Sequence, residues 1–160
     1  TTEIYTLSLH DALPISMDSM RLEKSYRLIP REMSIEYSAF ESGLDRFVRL
    51  DKEEDFIGKT ALSQWQDRGP TNGFVTMEVL GIIDADARGS EAIYKDGEVI
   101  GRGTSGGYGW RCGKSLVLGL VRLDLAAIGT ELEIEILGEK YKAIVIEESP
   151  FDPTNECLRS

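Results

Sequence analysis

From Phe74 onward the apolar residues of this chain recur with a period of two, a pattern that few folds other than an antiparallel sheet can use. Val75, Met77 and Val79 oppose Phe74, Thr76, Glu78 and Leu80, and Leu132, Ile134 and Ile136 alternate with Glu131, Glu133 and Glu135. Successive side chains of a strand point to opposite faces, so each run offers one apolar face to a core. Lys95-Asp96-Gly97-Glu98 separates Ala92–Tyr94 from Val99-Ile100, and its Asp-Gly pair signals a tight hairpin. Leu116 to Val121 is an apolar run between turn signals, and Gly138-Glu139 turns the chain into Tyr141–Ile146. Short strands at this spacing predict a closed or sandwiched sheet.

The first half reads differently. Asp18 or Ser19 can cap a helix, with Leu22, Tyr26 and Ile29 on one face and Arg21, Glu23, Lys24 and Arg27 on the others. Pro30 stops it by disfavouring a helical Ile29. Residues 31 to 43 have no period and read as a loop. Leu44 to Leu50 alternates imperfectly and reads as a strand, and Thr60 to Gln66 as a short helix ended by Arg68-Gly69-Pro70. The predicted fold class is α+β, mainly β: an N-terminal helix and a linker helix followed by a small antiparallel β-barrel. Thr1–Ser16 is set apart as a non-native or disordered tail, because Ser8–Ser16 looks like translated adapter sequence and has no basic start of a secretory signal.

Bulk properties narrow the function classes. The 160 residues suffice for one domain plus an appendage, and the formal net charge is −10. That balance argues against nucleic acid, whose phosphates need clustered Lys and Arg, and against anionic membrane surfaces. No apolar run approaches the roughly 20 residues that span a bilayer. Cys112 and Cys157 stand 45 positions apart with no further ligands at short spacing, so no metal site is expected, and unpaired thiols suit a reducing cytoplasm. His10 is the sole histidine and lies in the tail, which leaves the rest without a histidine triad or metal centre.

Two phosphate-binding patterns prove to be decoys. Gly101-Arg102-Gly103-Thr104-Ser105-Gly106 spells G-x-G-x-x-G, but Gly106-Gly107-Tyr108-Gly109 follows where a dinucleotide fingerprint needs a helix. Gly113-Lys114-Ser115 ends like a P-loop, yet Tyr108 occupies the position that requires glycine. The glycine-rich stretch reads either as a bulge where backbones approach closely or as a rim that contacts a ligand. On the second reading Tyr108, Trp110 and Arg111 are the exposed groups, able to stack on a flat ring or pair with a carboxylate.

Four ordered blocks carry a family resemblance: Asp18-Ser19-Met20-Arg21-Leu22-Glu23-Lys24, Glu41-Ser42-Gly43-Leu44, Asp55-Phe56-Ile57-Gly58-Lys59, and Thr104-Ser105-Gly106 leading to Gly113-Lys114-Ser115, with Pro150-Phe151-Asp152-Pro153 at the end. Over residues 17 to 160 they resemble the C-terminal part of the glycine-cleavage T-protein (aminomethyltransferase) family, and more closely the T-protein-like tail of dimethylglycine and sarcosine dehydrogenases. The resemblance implies that residues 17–50 end a folate-binding domain and residues 51–160 form its C-terminal barrel. It implies tetrahydrofolate as cofactor, with FAD in an upstream domain, and a small amine as one-carbon donor. Arg21 and Glu23 keep family positions and join Tyr108, Trp110 and Arg111 as candidate cofactor-binding residues. Glu41 is expected to anchor its loop.

The chain also departs from the pattern. The arginine that T-proteins place before D-S-L-R-L-E, implicated in folate binding, is Met17 here, and Leu28-Ile29-Pro30-Arg31-Glu32 replaces L-Y-G-x-D. The family's acidic catalytic residue lies upstream and has no counterpart, so no catalytic residue is assigned and the chain is expected to be an inactive fragment. Two alternatives stay open: a stand-alone barrel that binds or docks without folate, and part of a related demethylase on the same scaffold.

Overall fold

The computed structural model describes residues 8–82 and 84–160. Helices α1 (Ser8–Glu23) and α2 (Lys59–Arg68) precede six strands: β1 (Asn72–Val79), β2 (Ala92–Lys95), β3 (Glu98–Gly109), β4 (Lys114–Arg122), β5 (Glu131–Ile136) and β6 (Glu139–Ile146). A short helix, α3 (Glu156–Arg159), ends the chain. All strand pairings are antiparallel, and the sheet closes in the order β1-β4-β3-β2-β5-β6, which leaves no free edge. The predicted fold class is observed.

Local chemistry explains the hairpins. Asp96 and Gly97 both have positive φ (52° and 83°), as do Leu137 and Gly138 (52° and 86°). Two successive residues of this kind make the turn whose twist matches that of the flanking strands. Inside the barrel Val75, Met77, Val79, Ile93, Val117, Val121, Ile134 and Val145 form one buried cluster. A second cluster lies outside the wall, where Leu22 of α1 packs on Leu116 and Leu118, flanked by Phe74 and Ile146. Strand β4 is thus covered on both faces, which is why its sequence is continuously apolar whereas β5 alternates.

Three expectations are corrected. Helix α1 starts at Ser8, not at Asp18 or Ser19, and so takes in the second half of the segment read as a tail; Thr1–Leu7 lie outside the described residues. It also ends at Glu23, ahead of Pro30, because Ser25 turns to positive φ (53°). That turn buries Ser25, whose hydroxyl pairs with Thr76 Oγ1 at 2.8 Å and accepts the Ser149 amide at 2.9 Å. Tyr26 and Ile29, assigned to the apolar face, are instead exposed. Finally, Leu44 to Leu50 is not a strand: Asp45–Phe47 is a 3-10 turn, and a closed barrel has no edge to offer a seventh strand.

The loop after α1 is fastened by buried carboxylates. Glu41, 2% exposed, accepts hydrogen bonds from the Ser38 amide and hydroxyl, Thr71 Oγ1, and the amide and side chain of Asn72. Burial pushes this carboxyl up, but the bonds from Ser38, Thr71 and Asn72 together outweigh it and hold it below its ordinary value of 4.5. A depressed carboxyl contributes stability that is complete above 4.5 and is lost as pH falls through the lower folded value. Urea melts at stepped acidic pH are expected to show a shallower acid loss in Glu41→Gln than in the parent chain. Parallel curves for the two proteins would remove Glu41 from the acid response.

Candidate functional site

Helix α1 lies across β3 and β4, and the glycine-rich run of β3 is what lets it come close. A Cβ on Gly107 would stand 3.1 Å from Leu22 Cδ1, and one on Gly109 would stand 2.9 Å from Leu116 Cδ1 and 3.0 Å from Glu23 Cγ. On Gly106 it would meet the Ala87 carbonyl oxygen at 2.6 Å, so the segment before β2 also packs directly on this strand. Between Gly103 and Ser105 the β3–β4 register shifts, a bulge of the kind that the first reading of the glycines expects. The G-x-G-x-x-G decoy is therefore part of a strand, and its glycines serve close packing.

Around this seam the side chains form a cleft of about 300 Å³, lined by Ser19, Arg31, Asp86, Arg88, Tyr108 and Trp110 among others. A wider depression of about 1000 Å³ adjoins it, sharing Asp86, Arg88, Tyr108 and Trp110 and continuing to Ile136 and Leu137. Tyr108 and Trp110 meet edge to face, with ring centroids 4.9 Å apart and planes at 75°. Trp110 is 77% exposed. Ser19 donates to the Tyr108 carbonyl at 2.7 Å, tying the aromatic wall to the helix.

The floor behind the cleft is held by Glu32, which is fully buried. Its Oε1 accepts the Thr104 and Ser105 hydroxyls, each at 2.6 Å, while Oε2 accepts the Leu28 amide at 2.8 Å and faces Arg21 Nη1 at 3.5 Å. Arg31, one residue earlier, reaches Ser105 Oγ at 3.4 Å from the cleft side. The Thr104-Ser105 pair of the sequence block thus clamps a carboxylate from the loop that replaces L-Y-G-x-D.

The five candidate residues fall in two groups. Tyr108 and Trp110 line the cleft. Arg21 points into the loop, bonded to Asp18 Oδ1 at 3.2 Å and the Tyr26 carbonyl at 2.9 Å, with one buried guanidinium nitrogen unpartnered. Glu23 is 2% exposed and its Oε1 accepts the amides of Arg111 (2.6 Å) and Cys112 (3.3 Å). The Arg111 guanidinium lies over the Phe151 ring, 4.8 Å from its centroid. Sequence reasoning missed Arg31, Asp86 and Arg88, which sit in segments without a period; the Gly89-Ser90 turn after Arg88 was the one local signal of a structured loop. Cys112 and Cys157 are free thiols, and burial, followed by the Glu23 charge, pushes the Cys112 thiol up. Among the described residues no cluster of metal ligands exists, and no helix is long and apolar enough to cross a membrane.

A six-stranded closed barrel with a helix seated on a glycine seam beside an aromatic cleft defines a class, and comparison with known proteins assigns it. Residues 73–152 match the model of the glycine cleavage T-protein C-terminal barrel domain, and the chain belongs to that family. It is 39% identical over 146 residues to human mitochondrial dimethylglycine dehydrogenase, covering 90% of this chain and 17% of that protein. It is 36% identical over 135 residues to the aminomethyltransferase of Symbiobacterium thermophilum, covering 84% of this chain and 35% of the relative. The fold is shared with the glycine cleavage system aminomethyltransferase T of Bartonella henselae, with a TM-score of 0.77 at 24% identity over 85% of this chain and 38% of that one. The chain therefore spans roughly a sixth to a third of the length of these curated relatives.

Proposed function

We propose that this chain supplies one wall of the folate pocket of a tetrahydrofolate-dependent aminomethyltransferase-like enzyme, and that it does not turn over substrate alone. The observation that carries the reading is the Tyr108–Trp110 pair on the rim of the cleft, where the helix block and the glycine-rich block of the family resemblance meet. An aromatic edge and an exposed indole face suit a flat heteroaromatic ring, and Arg31 and Arg88 at the same cleft suit the carboxylates that such a ligand carries. Tetrahydrofolate, when bound, provides the amine that accepts a one-carbon unit from a methylated glycine or an aminomethyl donor. The residues of this chain bind and orient; the acid that acts on the amine belongs, in this reading, to an upstream folate domain, with FAD further upstream if the parent is of the dehydrogenase type. The free thiols fit a reducing compartment, the cytoplasm in the simplest case.

Binding tests the reading directly. In a Trp65→Phe protein the indole of Trp110 is the sole tryptophan reporter, since the chain has two. Titration with 5-formyltetrahydrofolate is expected to quench it saturably, and Trp110→Ala, followed by calorimetry, to weaken binding about tenfold. No heat and no quenching at millimolar probe would overturn the assignment. With dimethylglycine or sarcosine as donor, no one-carbon transfer to tetrahydrofolate is expected from the chain alone.

A further inference from the structure

We propose that Glu23 is a positioning residue: it holds the rim segment Trp110–Gly113 against α1 and thereby sets the aromatic wall of the cleft. The two consecutive amides of Arg111 and Cys112 both point at Glu23 Oε1, at 2.6 and 3.3 Å, across 88 and 89 positions of sequence. One side-chain oxygen gathering two neighbouring amides in a site sheltered from water is a geometric anchor: the reach of the side chain and its acceptor oxygen fix where the segment sits. Its other contacts are between side chains, the Arg111 guanidinium over the Phe151 ring and the Tyr108–Trp110 edge-to-face pair, so Glu23 is the group that holds the backbone of the segment to α1. The segment lies between the ends of β3 and β4, turns by way of the Gly113 amide to the Gly109 carbonyl at 2.8 Å, and carries Trp110 mostly in solvent.

A separate observation points the same way. Gly109 is the residue that the Glu23 side chain passes, and a Cβ there would stand 3.0 Å from Glu23 Cγ and 3.3 Å from Glu23 Oε1. The strand thus leaves a channel through which the carboxylate reaches the amides. Ser19, one turn earlier on the same helix, fixes the Tyr108 carbonyl. Both ends of the aromatic pair are therefore registered on α1, and the shape of the cleft depends on the helix being seated.

The inference rests on the folate reading only for the identity of the ring that meets this wall. The loop's dependence on Glu23 is measured without ligand, in the full chain carrying Cys157→Ser and Trp65→Phe, so that Cys112 and Trp110 report alone. Glu23→Gln keeps the reach and an acceptor oxygen but removes the charge; Glu23→Asp keeps the charge but falls a methylene short. The expected result is that Asp and Ala raise the iodoacetamide reaction rate of Cys112 about tenfold and shift the Trp110 emission, while Gln stays within about threefold with parental emission. If Ala does not fold by circular dichroism, the Gln and Asp pair decides. Parental rates and emission in Asp would overturn the inference, and so would emission shifted by Gln as far as by Asp. Failure of 5-formyltetrahydrofolate to bind the parent chain, with the Asp and Gln pattern intact, would sink the folate reading and leave the role of Glu23 standing.

Discussion

Glu32→Ala is expected to remove about 3–5 kcal/mol of stability, a large share of the roughly 5–15 kcal/mol of an ordinary domain. The carboxylate is fully buried and serves four donors from three parts of the chain: Thr104, Ser105, the Leu28 amide and Arg21. Truncation leaves the Ser105 hydroxyl and the Leu28 amide without their acceptor, and leaves the Thr104 hydroxyl only the Leu118 carbonyl at 3.1 Å. It also takes away the buried one of the two carboxylates that face the Arg21 guanidinium, which already has one buried nitrogen without a partner. Glu32→Gln keeps the volume and one acceptor but turns an NH2 toward donors on one side. It is expected to cost about 1–3 kcal/mol. Urea unfolding followed by circular dichroism measures both. A glutamine variant as stable as the parent would mean that the site needs shape and not charge, and an alanine variant within the error of the parent would refute the clamp.

The second large effect concerns Leu22, 1% exposed and, among the described residues, the buried apolar side chain by which α1 grips the outer wall of the barrel. Leu22→Ala is expected to cost about 2–5 kcal/mol, the transfer loss plus a cavity against Leu116 and Leu118. Leu22→Met, which conserves volume, is expected to cost less than about 1.5 kcal/mol. The consequence for the site differs from that of Glu32. The core inside the barrel lies on the other side of β4, so the alanine variant is expected to loosen the helix first. Limited proteolysis should then cut between α1 and β1 at denaturant concentrations where the barrel still resists. Simultaneous loss of helix and barrel would show that the two form one cooperative unit.

The polar character of this seam explains why so much of it escaped sequence reasoning. Leu22 is nearly alone; beside it Ser19, Glu23, Ser25, Glu32 and Glu41 are all buried and all bonded to the barrel or its approach. Periodicity finds apolar faces, and a carboxylate buried in a loop without a period leaves no such trace. The same limit produced the helix drawn through Tyr26 and Ile29. Their spacing is helical, but the Ser25 bonds to Thr76 and Ser149 turn the chain before that face can form. Two of the family blocks, the helix block and the glycine-rich block, meet at the cleft, but Arg31, Asp86 and Arg88 come to it from segments outside every block.

What the sequence determined by itself was local. Asp96-Gly97 made a hairpin because two residues of positive φ suffice to turn a strand, and the Leu132–Ile136 alternation assigned a face because a strand has period two. Tertiary structure alone decided why Gly107 and Gly109 are glycines, since the atoms they make room for belong to Leu22, Leu116 and Glu23. It decided equally that Glu32 meets Thr104 and Ser105 more than 70 positions away. A turn is settled by the torsions of adjacent residues, whereas a buried carboxylate or a missing Cβ is settled by whatever the closed barrel brings against it.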